Sequence, residues 1–132
     1  MTEPHINSDQ AMLMAAAMVG ENIDTLMTAL RQNRSVNVKN WSDETLRQDT
    51  IEQCQRALRL GLENLRDISG FLVLRHTVGA RFDELPAVKR HLRESQFPPG
   101  LRIHGLMLSL PLAYWGAAKR VCATRLNKPE NS

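Results

Sequence analysis

Histidine is the side chain best suited to proton transfer and metal binding near neutral pH, and this chain has four: His5, His76, His91 and His104. Their spacing makes no metal pair on a single helix face, and they fall on different segments. Only His76 has chemically useful neighbours, with Arg75 beside it and Asp83 further along. Arg75, His76 and Asp83 are therefore the one group from which an enzyme would be assembled here. Motifs that carry chemistry by themselves are missing. There is no Gly-rich phosphate loop, no Cys-x-x-Cys, no His-Glu-x-x-His, no Gly-x-Ser-x-Gly and no Glu-x-x-His. The sequence thus implies no catalytic residue, no cofactor and no metal. His5 is expected in a tail, His76 as a cation at a helix end, His91 facing solvent within "KRHLR", and His104 hydrogen-bonded in a core. The two cysteines, Cys54 and Cys122, sit in apolar helical patterns, where a free thiol behaves as a small hydrophobe.

Helices must position these groups, because no segment alternates apolar and polar residues as a half-buried strand does. Asn7 or Ser8 caps a first helix over about 8–33, with Met12, Ala16, Val19, Ile23, Leu26 and Leu30 stepping by four and three. Ser42 caps a second over about 43–77, where Trp41 folds onto Leu46 and Asp43 and Glu44 favour the positive helix end. Its seam is Ile51, Cys54, Leu58, Gly61, Leu65, Ile68 and Leu72, with Gly79 as terminator. Gly61 and Gly70 are weak points or sites of close helix approach. A short helix over about 84–95 has Pro86 in its first turn and Leu85, Val88 and Leu92 on one side. "FPPG" (97–100) then interrupts, and a last helix covers about 101–126, kinked or broken at Pro111. The expected fold is all-α: a single helical domain over 1–132 with three long helices and one short one, flanked by flexible tails at 1–7 and 127–132.

The last helix contains the most informative stretch. From Ile103 to Ala118 there is no Asp, Glu, Lys or Arg. The run falls short of the roughly 20 apolar residues that span a bilayer, so no membrane insertion is expected. It is also apolar nearly all round: Leu108, Leu112 and Trp115 lie off the Ile103–Met107–Leu110–Tyr114–Ala117–Val121 seam. The segment 11–19, with Met12, Met14 and Met18 pointing in different directions, behaves alike. Either the two segments cover each other at the centre of the bundle, or one of them is an interface. Met12, Met14, Met18, Leu108, Leu112 and Trp115 are the candidate interface residues.

Charge is uneven along the chain. Residues 1–33 carry Glu3, Asp9, Glu21 and Asp24 against Arg31 alone, a net −3, while the remainder is +6. Lys89, Arg90, Arg93, Lys119, Arg120 and Arg125 form a candidate basic surface that nucleic-acid phosphates would meet. On the second helix, Glu52 with Arg56 and Arg59 with Glu63 are spaced to neutralise one another, and few aromatics remain for base stacking. The "AMLMAAAMV" run lacks the basic flank of a signal peptide, which points to the cytoplasm. The reading that follows is a non-enzymatic helical protein acting on another protein, or on itself as a homodimer. Nucleic-acid binding by the basic second half is the alternative.

Overall fold

Helices account for all the regular structure among the described residues. The computed structural model describes residues 8–94 and 96–123, with side chains apart from those of 8–12 and 14–16. Six α-helices follow one another there: α1 (Ser8–Gln32), α2 (Asp43–Arg59), α3 (Leu65–Thr77), α4 (Pro86–Glu94), α5 (Arg102–Ser109) and α6 (Leu112–Val121). A 3-10 turn, Phe82–Glu84, precedes α4. The expected tails, Arg125 and the end of the last predicted helix lie outside the described residues.

The first helix matches its expected span, and Val19, Ile23, Leu26 and Leu30 of its seam are buried. Ser42 caps α2 as expected, its hydroxyl accepting from the Thr45 N–H at 3.0 Å. The long second helix is instead two. After Leu60, the Gly61 N–H donates to the Leu58 carbonyl at 3.0 Å and the Leu62 N–H to Ala57 at 3.0 Å. This is the paired bonding of a Schellman ending, and it needs the positive φ of 87° that Gly61 adopts. Asn64 then caps α3, accepting from the Arg66 N–H at 2.9 Å. Gly79 follows the end of α3 without the left-handed conformation expected of it, since Gly61 and Gly100 are the glycines with positive φ among the described residues.

The predicted last helix is also divided. Pro111 forces Leu110 into the extended region (φ −112°, ψ 137°), ending α5. The Pro111 carbonyl then accepts from Tyr114 at 2.9 Å and starts α6. The expected seam is kept only in part across this break, with Leu110, Tyr114 and Val121 half-buried against the core. α5 buries Ile103 and Leu106 and leaves Met107 exposed, whereas α6 buries Ala118 and, just past its end, Cys122.

α3 is the hub, packing against α1, α2 and α5, while α4 lies on α5 and the 3-10 turn. Phe71 of α3 and Phe82 of the turn meet at 4.9 Å between ring centroids in the core. A Cβ on Gly70 would lie 2.8 Å from Ile103 Cγ2, so this glycine is where α5 closes on α3. Asp67 ties the two helices chemically. Its buried carboxylate accepts from the Gly100 N–H at 2.7 Å and the Ile103 N–H at 3.2 Å, capping α5 from another helix. Arg102 completes the joint, donating to the Gly61 carbonyl at 3.0 Å and to the Leu92 carbonyl in the last turn of α4.

Candidate functional site

The break at Pro111 produces an elbow whose outer side is apolar and uncovered. With Ile103, Gly105 and Leu106 turned inward on α5, Leu108 is left 73% exposed and Met107 47% exposed. Across the break Leu112 is 89% exposed. Among the described residues no second layer covers Leu108 and Leu112, which, of the two expected alternatives, favours an interface over cover by residues 11–19. Trp115 stands differently: it is half-buried and packs on the core with Tyr114, their rings edge to face at 5.6 Å. Its indole N–H is buried with no acceptor. Met18 is likewise half-buried against the core, and the side chains of Met12 and Met14 lie outside the described residues.

The elbow's surroundings are basic. Residues 96–123 contain Arg102, Lys119 and Arg120 and no Asp or Glu. A cleft of about 270 Å³ adjoins the elbow between α4 and the end of α5, lined by Ala87, Arg90, His91, Glu94, Ser109 and Leu110. Lys89, Arg90 and Arg93 are exposed on α4, and Lys119 and Arg120 are exposed at the end of α6. Arg93 lies 3.7 Å from Glu94.

The enzyme-like group is taken apart by the fold. Arg75 forms a two-pronged pair with Asp49 of α2, donating from Nε at 3.0 Å and from Nη2 at 2.8 Å. Its guanidinium also stands 5.5 Å from the centre of the Trp41 ring. Trp41 meets His76 edge to face at 5.2 Å, so this indole is engaged with α3. His76 is no helix-end cation: burial, reinforced by the Arg75 charge, pushes its pKa down to about 4 against a smaller upward pull from Asp49. Its Nε2 has no hydrogen-bond partner, and the nearest carboxylate oxygen, Asp49 Oδ2, is 3.8 Å away. Asp83 belongs to a separate cluster, accepting from Arg56 Nε at 2.9 Å, while Arg56 Nη2 donates to Glu84 at 2.7 Å. Arg56 therefore serves the 3-10 turn, and Glu52 accepts from Gln48 at 3.0 Å. Arg59 and Glu63 fall on either side of the end of α2, so the helical spacing that would pair them is lost.

His91 and His104 both depart from their expected environments. His104 is exposed on α5, whereas His91 turns its ring toward Phe97 at 6.0 Å and buries an unpartnered Nε2. Both cysteines are buried; desolvation raises the Cys54 pKa to about 12, and burial with the nearby Asp83 charge raises that of Cys122. Asp49, the carboxylate that meets Arg75 and His76, went unrecognised in the sequence because it lies on a different helix 26 residues from Arg75. Among the described residues no group of three or more His, Cys, Asp or Glu is placed to hold a metal ion. Nor is any described helix long and apolar enough to cross a membrane. Compared with known proteins, the chain matches no family model, no curated protein and no solved structure.

Proposed function

We propose that this chain is a non-enzymatic helical protein of the cytoplasm that acts by binding another protein, or a second copy of itself, through the α5–α6 elbow. A regulator, an inhibitor, an immunity- or antitoxin-type protein and an adaptor all fit this mode of action. The observation that carries the reading is the exposure of Leu108 and Leu112 on the two sides of Pro111. Each leucine withdrawn from water by a partner contributes about 1.5–3 kcal/mol, and contiguous apolar exposure is characteristic of interaction surfaces. The reading is tested by affinity purification of the wild type and of a Leu108→Glu/Leu112→Glu variant, followed by mass spectrometry. A protein retained by the wild type and lost by the variant, or a self-association that the variant loses, is the expected result; identical recoveries together with an unchanged oligomeric state argue against the elbow.

The exposed basic residues on α4 and α6 favour a second reading, binding of nucleic-acid phosphates by Lys89, Arg90, Arg93, Lys119 and Arg120. Such binding weakens steeply with salt. Filter binding to DNA and RNA between about 50 and 300 mM salt tests it, and absence of retention at the low end removes it.

A further inference from the structure

We infer that the partner seated on the elbow is a second copy of this chain, which lays the outward stripe of its α1 along α6 from Leu112 onward. The inference rests on the elbow being a protein-binding surface and names the occupant. Leu13 is 71% exposed on α1, and Ala17, Gly20 and Asp24 follow it on the same side, all exposed. Glu21, also exposed, flanks this stripe. On α6 the corresponding line is Leu112, half-buried Gly116 and Lys119, with Arg120 flanking. A Cβ at Gly20 or at Gly116 would meet nothing within 4 Å, so both helices are smooth where they face outward.

The two stripes have the same order and opposite charge. Each starts at an exposed leucine, passes small residues and reaches charge about two turns later, Glu21 on α1 and Lys119 and Arg120 on α6, with Asp24 one turn further along α1. Set side by side in the same direction, they bring Leu13 to Leu112 and the carboxylates to the ammonium and guanidinium groups. The larger charge pattern agrees, with residues 1–33 at −3 and residues 96–123 carrying three cations and no carboxylate. Within one molecule the two leucines do not cover each other, since Leu13 and Leu112 are both exposed while α1 packs on α2 and α3. A second copy satisfies both stripes at once, and a two-fold axis makes the two contacts equivalent and closes the assembly.

Sedimentation equilibrium of the full chain provides the test, with circular dichroism as a control for folding. The wild type is expected as a dimer, and Leu112→Glu and Leu13→Glu each as monomers of unchanged helicity. Glu21→Lys and Lys119→Glu should each weaken the dimer at least tenfold, and their combination should restore it. Asp24 is left in place because it pairs with Arg47 in the same chain. A dimer lost with Leu112→Glu but indifferent to Leu13→Glu overturns α1 as the occupant while the elbow reading stands. A wild type that stays monomeric at about 200 µM, far above a micromolar Kd, overturns the second copy. In that case, purification of a different protein, lost on Leu112→Glu, separates this failure from failure of the elbow. A dimer indifferent to both leucine changes overturns the two together.

Discussion

His76 is held neutral by its surroundings, and this links folding to pH. Its pKa is about 4 in the folded chain against 6.5 for the unperturbed side chain, so between those values the unfolded chain binds more protons. Stability is therefore full above pH 6.5 and is lost as pH falls toward 4, by an amount on the order of 3 kcal/mol. Urea unfolding of the wild type and of His76→Gln from neutral pH to pH 4.5 checks the sign: the difference between the two should shrink or reverse as the solution becomes acidic. A constant difference would mean that the imidazole is not protected from protons in the fold. Asp67 supports a second expectation. Its carboxylate serves two backbone donors at the start of α5, so Asp67→Ala leaves both without a partner and should cost about 2 kcal/mol. Asp67→Asn keeps one acceptor oxygen and should cost less. An alanine variant as stable as the wild type would show that water replaces the carboxylate without penalty.

At the scale of elements, Pro111 marks the break, but the buried faces require it. With about 100° per residue on a straight helix, Leu106 and Cys122 would point roughly 160° apart. A continuous helix would thus withdraw Leu106 or Cys122 from the core, and both are fully buried. Pro111→Ala should accordingly leave helicity at 222 nm unchanged and the amides of residues 111–113 open to exchange. A rise in helicity with newly protected amides would show that proline alone holds the elbow open. The sequence made this boundary legible because proline acts on its immediate neighbour. The Ser42 cap and Pro86 in the first turn of α4 were legible for the same reason. The division between α2 and α3 was hidden because Leu58, Leu65, Ile68 and Leu72 keep a helical rhythm across it. Gly61 then passes for a seam residue, although a glycine followed by Asn64 also reads as an ending and a cap. The cap on α5 was beyond sequence reading, since Asp67 lies 33 residues from Gly100. Of the interface candidates, Leu108 and Leu112 are exposed while Trp115 packs on the core, a distinction that depends on how α6 leaves the break.

Across the whole molecule the core is unevenly distributed, and so is its resistance to opening. α2 and α3 bury Leu46, Cys54, Ala57, Leu58, Ile68, Phe71, Leu72 and Leu74, whereas α6 buries Ala118 alone within its span and Cys122 at its end. Elements with few buried apolar side chains detach at a free energy well below that of global unfolding. The two cysteines report on this difference, because both are buried but on different helices. Cys54 is reached only when the central helices separate, while Cys122 is reached when α6 lifts away. Maleimide labelling under native conditions, followed by peptide mapping, should therefore modify Cys122 at least tenfold faster than Cys54. Local pKa differences do not produce such a gap alone, since burial raises both thiols and both thiolates form only after exposure. Raising the protein concentration should slow Cys122 selectively, because an α1 from a second copy laid along α6 opposes the same opening. Equal labelling rates would place both cysteines in one cooperative unit. Labelling of Cys122 that is faster than that of Cys54 but independent of concentration would keep the weak attachment of α6 and remove the second copy from its outer face.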